Sequence, residues 1–139
     1  MTRTNVGFLL AVASQRFNTL LVERFALHGF GDVRASFGSV LVPLFEQDGL
    51  RVGELASAAR LSKQAMTGLV RRCEEAQLVE RERDVADGRA FRVRLTVRGR
   101  ELRGVAQEVL AELDAELVRA LGRQDHQALV RALQGVIEL

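Results

Sequence analysis

Apolar residues near the two ends of the chain recur at three- and four-residue steps, which predicts long amphipathic helices there. The first predicted helix covers residues 4–28, and Gly29 is suited to end it. Two more cover residues 97–121 and 124–138, with Gly122 between them. Their apolar positions are Phe8, Leu9, Val12, Phe17, Leu20, Leu21 and Phe25 in the first, Leu102, Val105, Val109, Leu110, Leu113, Leu117 and Leu121 in the second, and Leu129, Val130, Leu133, Val136 and Ile137 in the third.

The middle of the chain is divided into shorter segments. A helical pattern of apolar residues covers Phe37–Phe45, with Asp32 as a candidate N-terminal cap. Pro43 lies inside this pattern and predicts a kink or an interruption. Two short helices follow, over Val52–Ala59 and from Ser62 to about Ala76, with a tight connection between them. A pair of short helices on a tight turn is typical of a helix-turn-helix.

Two short segments after this pair have the pattern of β-strands. Leu78–Arg83 is the first, and Phe91–Leu95, in which apolar residues alternate with arginines, is the second. Asp87-Gly88, in the link between them, is a hairpin signal. The sequence therefore predicts a mainly α fold with a small β-hairpin wing, which is the arrangement of a winged helix-turn-helix.

Composition narrows the class of protein. The chain has 139 residues, of which 47% are apolar and 27% charged, as in a folded globular domain. Its one cysteine, Cys73, excludes an intrachain disulfide, and no apolar run approaches the ~20 residues of a membrane-spanning helix. Arg3 and the apolar residues 6–13 resemble a secretory signal, but the helical pattern continues beyond any cleavage point. We therefore expect a cytoplasmic protein with no membrane partner.

Charge is distributed unevenly along the chain. Basic residues outnumber acidic ones between Arg51 and Arg103, and the reverse holds elsewhere. The helix that begins after Ser62 has an apolar stripe that must face the protein, and its opposite face has no carboxylate before the last turn. Such a face suits a polyanion, although any one of its residues could equally belong to an ordinary solvated surface. The outer face consists of Lys63, Gln64, Thr67, Gly68 and Arg71, and the inner stripe of Met66, Leu69, Val70 and Cys73.

Duplex DNA is the polyanion that this face fits, because its major groove admits an α-helix. Gln64 is suited to an adenine, Thr67 to a thymine methyl group, and Arg71 to a guanine or a phosphate. Ser62 and Lys63, at the start of the helix, are expected to hold phosphates. Arg51, Arg72 and Arg92 are further phosphate candidates.

The link between the two strands carries its own candidates. Arg89, near the tip, is suited to a narrow minor groove, where the negative potential is enhanced. The alternative is an ion pair with Asp84 or Asp87 that holds the turn, and Asp84 is the favoured partner because an acid facing DNA would be repelled. Asp84, Asp87 and Gly88 are thus expected to shape the wing.

No pattern of catalytic or metal chemistry accompanies these positions. The chain has no glycine-rich phosphate loop and no nucleophile with a nearby base, so no enzyme, cofactor or metal site is expected. His28 and His126 are far apart and lack a cluster of acids or cysteines. His28 either lines a ligand cleft or is an exposed helix end. Cys73 is expected to pack in the core rather than to sense oxidants.

Five short segments form a signature. They are Leu55-Ala56, Ser62-Lys63-Gln64-Ala65-Met66, Leu78-Val79-Glu80-Arg81, Asp84-x-x-Asp87-Gly88-Arg89 and Leu95-Thr96-x-x-Gly99. Together they resemble the MarR family of bacterial transcription regulators. The resemblance implies a homodimer formed by the terminal helices, with one winged helix in each protomer. It also implies a repressor or activator controlled by a small, often aromatic, molecule or by oxidation.

The chain departs from the family pattern at two positions. The family usually has a glycine after the recognition helix, which in this chain is the helix that begins after Ser62. This chain has Gln77 at that place, and a left-handed backbone there costs ~1–2 kcal/mol without glycine. The family wing often carries two adjacent arginines, and here Gly88 replaces the first. Arg89 is then the single arginine at the tip.

A cleft for a small aromatic effector is expected where the dimer helices meet the winged module. Phe17, Leu21, His28 and Phe37 are the candidate lining residues, and the alternative is that they belong to the ordinary core.

The terminal helices also bear on assembly, because they carry more apolar surface than one winged module can cover. Pairing with a second copy would bury it and place two recognition helices ~34 Å apart, which matches a palindromic operator in double-stranded DNA. An intramolecular bundle is the alternative. In this interpretation residues 32–96 bind DNA, and residues 1–31 and 97–139 form a helical dimerisation region.

We therefore expect a dimeric, sequence-specific DNA-binding transcription regulator, a repressor relieved by a small molecule. The alternative function is a winged-helix module that binds another protein and not DNA.

Overall fold

The computed structural model describes residues 4–139, and its chain divides into two compact units. The first unit ends at Ala106, and the second covers Gln107–Leu139. Arg3, which contributed to the signal-like pattern, lies outside the described residues. Within residues 4–139, no helix has the length and apolarity to span a bilayer.

The first helix, α1, covers Val6–Leu27, close to the predicted span. The Asn5 side chain begins it by accepting a hydrogen bond from the Phe8 N–H at 3.3 Å. Gly29 follows the helix with a φ of +87°, which confirms the role predicted for this glycine. Only Phe25 is buried along α1, so most of its apolar stripe is exposed or half-buried.

A 3-10 turn over Ala35–Phe37 leads into helix α2, which covers Gly38–Glu46. The prediction that Asp32 caps this helix is wrong, because the Asp32 carboxylate instead forms an ion pair with Arg98 at 2.8 Å. The predicted interruption at Pro43 is also absent. Proline removes one backbone hydrogen bond, but burial of neighbouring apolar side chains favours an unbroken helix. These are Val40, Leu41 and Leu44.

Helices α3, Val52–Ala59, and α4, Lys63–Glu75, form the predicted helix-turn-helix. Their connection is tight because Arg60 adopts a left-handed backbone conformation, with φ +55°. The Ser62 hydroxyl caps α4 by accepting a hydrogen bond from the Ala65 N–H at 3.1 Å. This confirms the start that the sequence predicts for α4.

The sheet has three strands where the sequence predicts two. Strands β1 (Leu50–Arg51), β2 (Val79–Arg83) and β3 (Phe91–Leu95) are antiparallel, in the order β1-β3-β2. The two predicted strands are confirmed, with β2 one residue shorter at its start. Two residues are too few for a periodic pattern, so β1 carries no signal of its own in the sequence.

The core of the winged module lies between the sheet and helices α2, α3 and α4. Inward alternation along β3 is confirmed for Val93 and Leu95, which are buried. It is wrong for Phe91, whose side chain is 41% exposed because it lies at the turn end of the hairpin, opposite Arg83. Other buried side chains of this module include Leu44, Leu55, Met66, Val70, Cys73 and Leu78.

Helix α5 covers Val97–Leu121, as predicted, and α6 covers Arg123–Ile137. Gly122 separates them with a φ of +85°. The sequence predicts that α6 buries its apolar stripe, but none of its residues is buried in the single chain. The exposed fractions of that stripe lie between 38% and 65%, for Leu129, Val130, Leu133, Val136 and Ile137.

Candidate nucleic-acid interface

Helix α4 presents to solvent the face that its sequence predicts. Met66, Val70 and Cys73 point inward and are buried. Lys63, Gln64, Ala65 and the two arginines at 71 and 72 are exposed, while Thr67 and Gly68 are half-buried. A Cβ on Gly68 would meet no atom within 4 Å, so the surface is open there.

Two hydroxyl groups on α4 are already engaged with its backbone. The Ser62 Oγ accepts the Ala65 N–H, and the Thr67 hydroxyl donates to the carbonyl of Lys63 at 2.8 Å. Ser62 keeps its hydroxyl proton as a donor for a phosphate, and the Thr67 side chain is half-buried with its hydroxyl already used. Both assignments to DNA therefore stay predictions that agree with the local geometry.

A cleft of about 930 Å³ lies between the start of α3, the side of α4 and the wing. Its cationic side chains outnumber its acids, which are Glu54 and Asp87. The Glu54 carboxylate is engaged at the start of α3, where it accepts the Arg51 N–H at 3.1 Å. The cations are Arg51, Lys63, Arg81 and Arg89, and the remaining lining residues are Val52, Gly53, Ser57, Thr67, Ala90 and Phe91.

Asp84 does stabilise the wing, but not through Arg89. It is 5% exposed, and its carboxylate binds Arg51 at 2.6 and 3.1 Å and Arg92 at 3.1 Å. It also accepts the Ala86 N–H at 2.9 Å. The Arg51 guanidinium is the main reason that the pKa of Asp84 lies below its usual range.

The tip of the wing is shaped by the residues that the sequence indicates. The Asp87 carboxylate accepts the Arg89 N–H at 3.1 Å, and Arg83 donates to the Gly88 carbonyl at 2.8 Å. The Arg89 side chain is exposed and, within residues 4–139, forms no ion pair. The alternative of an Arg89 ion pair with Asp84 or Asp87 is therefore wrong, and the minor-groove role stays a prediction.

The remaining DNA candidates are not all on one surface. Arg72 lies beside a second cleft of about 510 Å³, which Arg34 and Phe37 also line. Arg92 is half-buried, with one nitrogen on Asp84 and another on the Gly49 carbonyl at 2.8 Å. Arg51 thus remains available at the first cleft, whereas Arg92 acts mainly inside the wing.

Sequence reasoning missed Arg81 and Phe91 as members of this surface. The two residues lie on adjacent strands, and the Arg81 guanidinium is 5.9 Å from the Phe91 ring centre. Arg83 is 5.5 Å from the same ring. The predicted hairpin could have indicated this contact, because the pairing of β2 with β3 places arginines next to an aromatic side chain.

The four candidate effector residues are not lined up along one described cleft. Phe37 is buried and borders the second cleft, Phe17 and Leu21 are half-buried on α1, and His28 is exposed at the end of α1. Their assignment to an effector stays a prediction.

Cys73 has the environment expected for a structural residue. Cys73 is fully buried, and burial raises the pKa of its thiol to about 12, which disfavours the reactive thiolate. His126 lies 2.7 Å from the Asp114 carboxylate. In the described part of the chain, no group of three or more metal-ligating side chains comes together.

The turn after α4 keeps a left-handed residue although glycine is absent. Gln77 has a φ of +61°. Its carbonyl accepts the Thr96 hydroxyl at 2.6 Å, and Leu78 donates to the Cys73 carbonyl at 3.0 Å. These bonds retain the turn at the cost of local strain.

The same region matches known proteins. A model of the MarR family matches residues 37–91, from the end of the 3-10 turn to the start of β3. The HTH-type transcriptional repressor Rv2887 of Mycobacterium tuberculosis is 34% identical over 91 residues, which cover 66% of this chain and 66% of that protein.

Two solved structures extend the likeness to nearly the whole chain. The MarR family protein Rv2887 of Mycobacterium tuberculosis, in complex with salicylic acid, has 27% identity and a TM-score of 0.67, covering 96% of each chain. The transcriptional repressor CouR, bound to a 23-mer DNA duplex, has 22% identity and a TM-score of 0.82, covering 99% of this chain and 98% of its own. The CouR likeness shows the fold alone. From the family match, the identity with a repressor and the winged helix-turn-helix itself, we conclude that the chain belongs to the MarR family of winged-helix transcription regulators.

Proposed function

We propose that this protein is a sequence-specific DNA-binding repressor. One observation carries the proposal: the exposed, acid-free start of α4 adjoins a cleft with four cationic side chains, one of which is the exposed wing arginine Arg89. This combination suits a helix in the major groove with phosphates beside it. Gln64, Thr67 and Arg71 would read bases, while Ser62, Lys63, Gly68 and Arg72 would lie against the backbone and Arg89 in the minor groove.

The active form in this proposal is a homodimer on a palindromic operator. The exposed apolar side chains on α1 and α6 support it, because soluble monomers rarely leave such stripes uncovered. Two-fold symmetry would present two copies of α4 to half-sites about one DNA turn apart. The protein would act in the cytoplasm, where its DNA is accessible.

A small aromatic acid is the proposed effector class. The related Rv2887 structure contains salicylic acid, and a carboxylate would find cationic partners in either cleft of this chain. Phe17, Leu21, His28 and Phe37 remain the proposed lining residues. Salicylate added to a preformed protein–DNA complex is expected to lower the fluorescence anisotropy of labelled DNA, and no change at saturating salicylate would exclude this ligand.

The DNA proposal is tested by anisotropy titration of labelled duplex at two salt concentrations. We expect a steep loss of affinity with salt, because cationic side chains displace counterions from phosphates. Arg71→Ala should cost ~1–3 kcal/mol of binding free energy at a selected genomic fragment. Arg123→Ala, which removes an exposed arginine from the second unit, is the matched control.

Arg89→Ala should also weaken binding, with little effect on the free energy of unfolding, because its side chain holds no described ion pair. Absence of binding to any duplex at low salt would favour the alternative of a protein-interaction module.

A further inference from the structure

Asp84 is the one charged side chain that is buried among residues 4–139. Its position is unexpected, since it lies where β2 runs into the loop of a basic wing whose proposed ligand is a polyanion. The carboxylate joins two strands that are not adjacent in the sheet order, through Arg51 at the end of β1 and through its own segment after β2. Removing one partner of a buried carboxylate leaves an uncompensated charge and destabilises the folded protein.

The two arginines that bind Asp84 differ in whether their remaining N–H donors can reach a ligand in the first cleft. Arg92 places one nitrogen on Asp84 and another on the Gly49 carbonyl, and it does not line the first cleft. Arg51 uses Nε and Nη2 on Asp84, and its side chain is 40% exposed beside the cleft. A guanidinium has five N–H donors, so Arg51 retains donors for an oxygen in the cleft.

We propose, on the basis of the DNA-binding function above, that Asp84 is a positioning residue that holds the Arg51 guanidinium at the cleft to bind a backbone phosphate. A free arginine side chain loses rotamer freedom on binding, and an arginine already held by Asp84 loses less. The same ion pair joins the wing to the start of α3. The phosphate therefore meets a surface of fixed shape rather than two independent cations.

This proposal predicts that removing the Asp84 carboxylate changes DNA affinity in the direction opposite to the one expected from net charge alone. Removing a carboxylate from a DNA-binding surface increases its net positive charge and should raise affinity. If Asp84 positions Arg51, then Asp84→Asn should instead lower affinity, by about three- to tenfold from the renewed cost of ordering one long side chain. Glu82→Gln is the matched control, because it removes a wing carboxylate whose partner, Arg94, does not line the cleft.

The test is an anisotropy titration of a labelled mixed-sequence duplex with the full-length protein over a series of salt concentrations. Circular dichroism at the same temperature establishes that each variant is folded. Arg51→Ala should lower affinity and reduce the slope of log K against log salt by about one for each lost phosphate contact. Asp84→Asn should leave that slope unchanged, because the Arg51 charge remains. In the Arg51→Ala background, Asp84→Asn should cause no further loss.

Three results would overturn the proposal. Unchanged or tighter binding by Asp84→Asn would show that Arg51 needs no positioning. An equal loss from Asp84→Asn with and without Arg51 would assign Asp84 to the general stability of the wing. Unaltered protein that binds no duplex would overturn the DNA-binding function as well, and this titration distinguishes that failure from the other two.

Discussion

Asp84 makes the stability of the wing depend on pH. Its pKa is lowered by the Arg51 hydrogen bonds first, then by the Ala86 N–H and by Arg92, while burial opposes this shift. In the unfolded chain an aspartate titrates near its ordinary pKa of ~3.9, so the unfolded state binds more protons in the interval between the two values. Acid therefore favours unfolding.

We expect the free energy of unfolding to be highest above ~pH 5 and to fall as the pH drops through the folded-state pKa. Urea unfolding of the unaltered protein and of Asp84→Asn between neutral and acid pH measures this. The variant should be less stable at neutral pH and should lose less stability on acidification. Parallel pH profiles would show that Asp84 does not contribute. Asp32 adds a slope of the same sign, because the hydrogen bond from Arg98 lowers its pKa.

Cys73 is expected to be inert in the folded protein. Burial and a raised thiol pKa both keep the thiolate from solvent. Cys73→Ala should therefore leave DNA binding insensitive to peroxide, as in the unaltered protein, and Cys73→Ser should cost ~1–3 kcal/mol of stability by burying a hydroxyl among apolar side chains. Rapid labelling of the native protein by a thiol reagent, or a peroxide response lost in Cys73→Ala, would contradict this assignment.

At the scale of single residues, the sequence predicts exposure better than it predicts partners. The apolar stripe of α4 is enough to assign its outer face, since the helical period separates the two sides. The partner of Asp84 is different: Arg51 lies 33 positions earlier, and only the pairing of β1 with β3 brings it close. The sequence offered an ion pair between Asp84 and Arg89 only as the alternative to a minor-groove role for Arg89.

At the scale of elements, Gly99 controls the docking of α5 on the turn after α4. A Cβ at this position would overlap the carbonyl oxygen of Leu78, which also accepts the Thr96 N–H. Gly99→Ala should therefore cost ~1–3 kcal/mol, in the range of overpacked sites, although alanine is the better helix former.

Gly104→Ala in the same helix is the control for Gly99→Ala. A Cβ at Gly104 meets no atom within 4 Å, so this change should stabilise the protein by ~1 kcal/mol. Thermal unfolding of both variants measures the difference. Two changes of equal sign would show that α5 is not held close to Leu78.

Element boundaries follow from local chemistry where caps are strong. Ser62 and Thr96 cap α4 and α5 with side-chain oxygens, and both starts are predicted correctly. Asp32 has the right residue type for a cap but binds Arg98 instead, since α5 brings a guanidinium within reach. Strand β1 exists only because β3 provides its partner.

At the scale of the whole molecule, the apolar stripe of α6 is expected to hold two chains together. Leu133→Asp should shift the protein from dimer to monomer in sedimentation experiments, because a carboxylate would be buried at the interface. Gln127→Asp changes the charge equally on the same helix outside that stripe and should leave the dimer intact. A monomer in the unaltered protein would reject the proposed assembly.

Membership in the MarR family agrees with the expectation that the chain is a regulator and not an enzyme. The family match covers the winged module, where the sequence signature is also concentrated. The division of the chain into a DNA-binding region at residues 32–96 and a dimerisation region at both ends stays a prediction.

The local sequence pattern was sufficient to predict the helices, the wing hairpin and the outward face of α4, because periodicity and capping act within a few residues. Only the tertiary structure revealed the third strand, the burial of Asp84 between two arginines, and the cleft lined by Arg51, Lys63, Arg81 and Arg89. Those features depend on contacts between distant segments, and the energy of such contacts leaves no periodic trace along the chain.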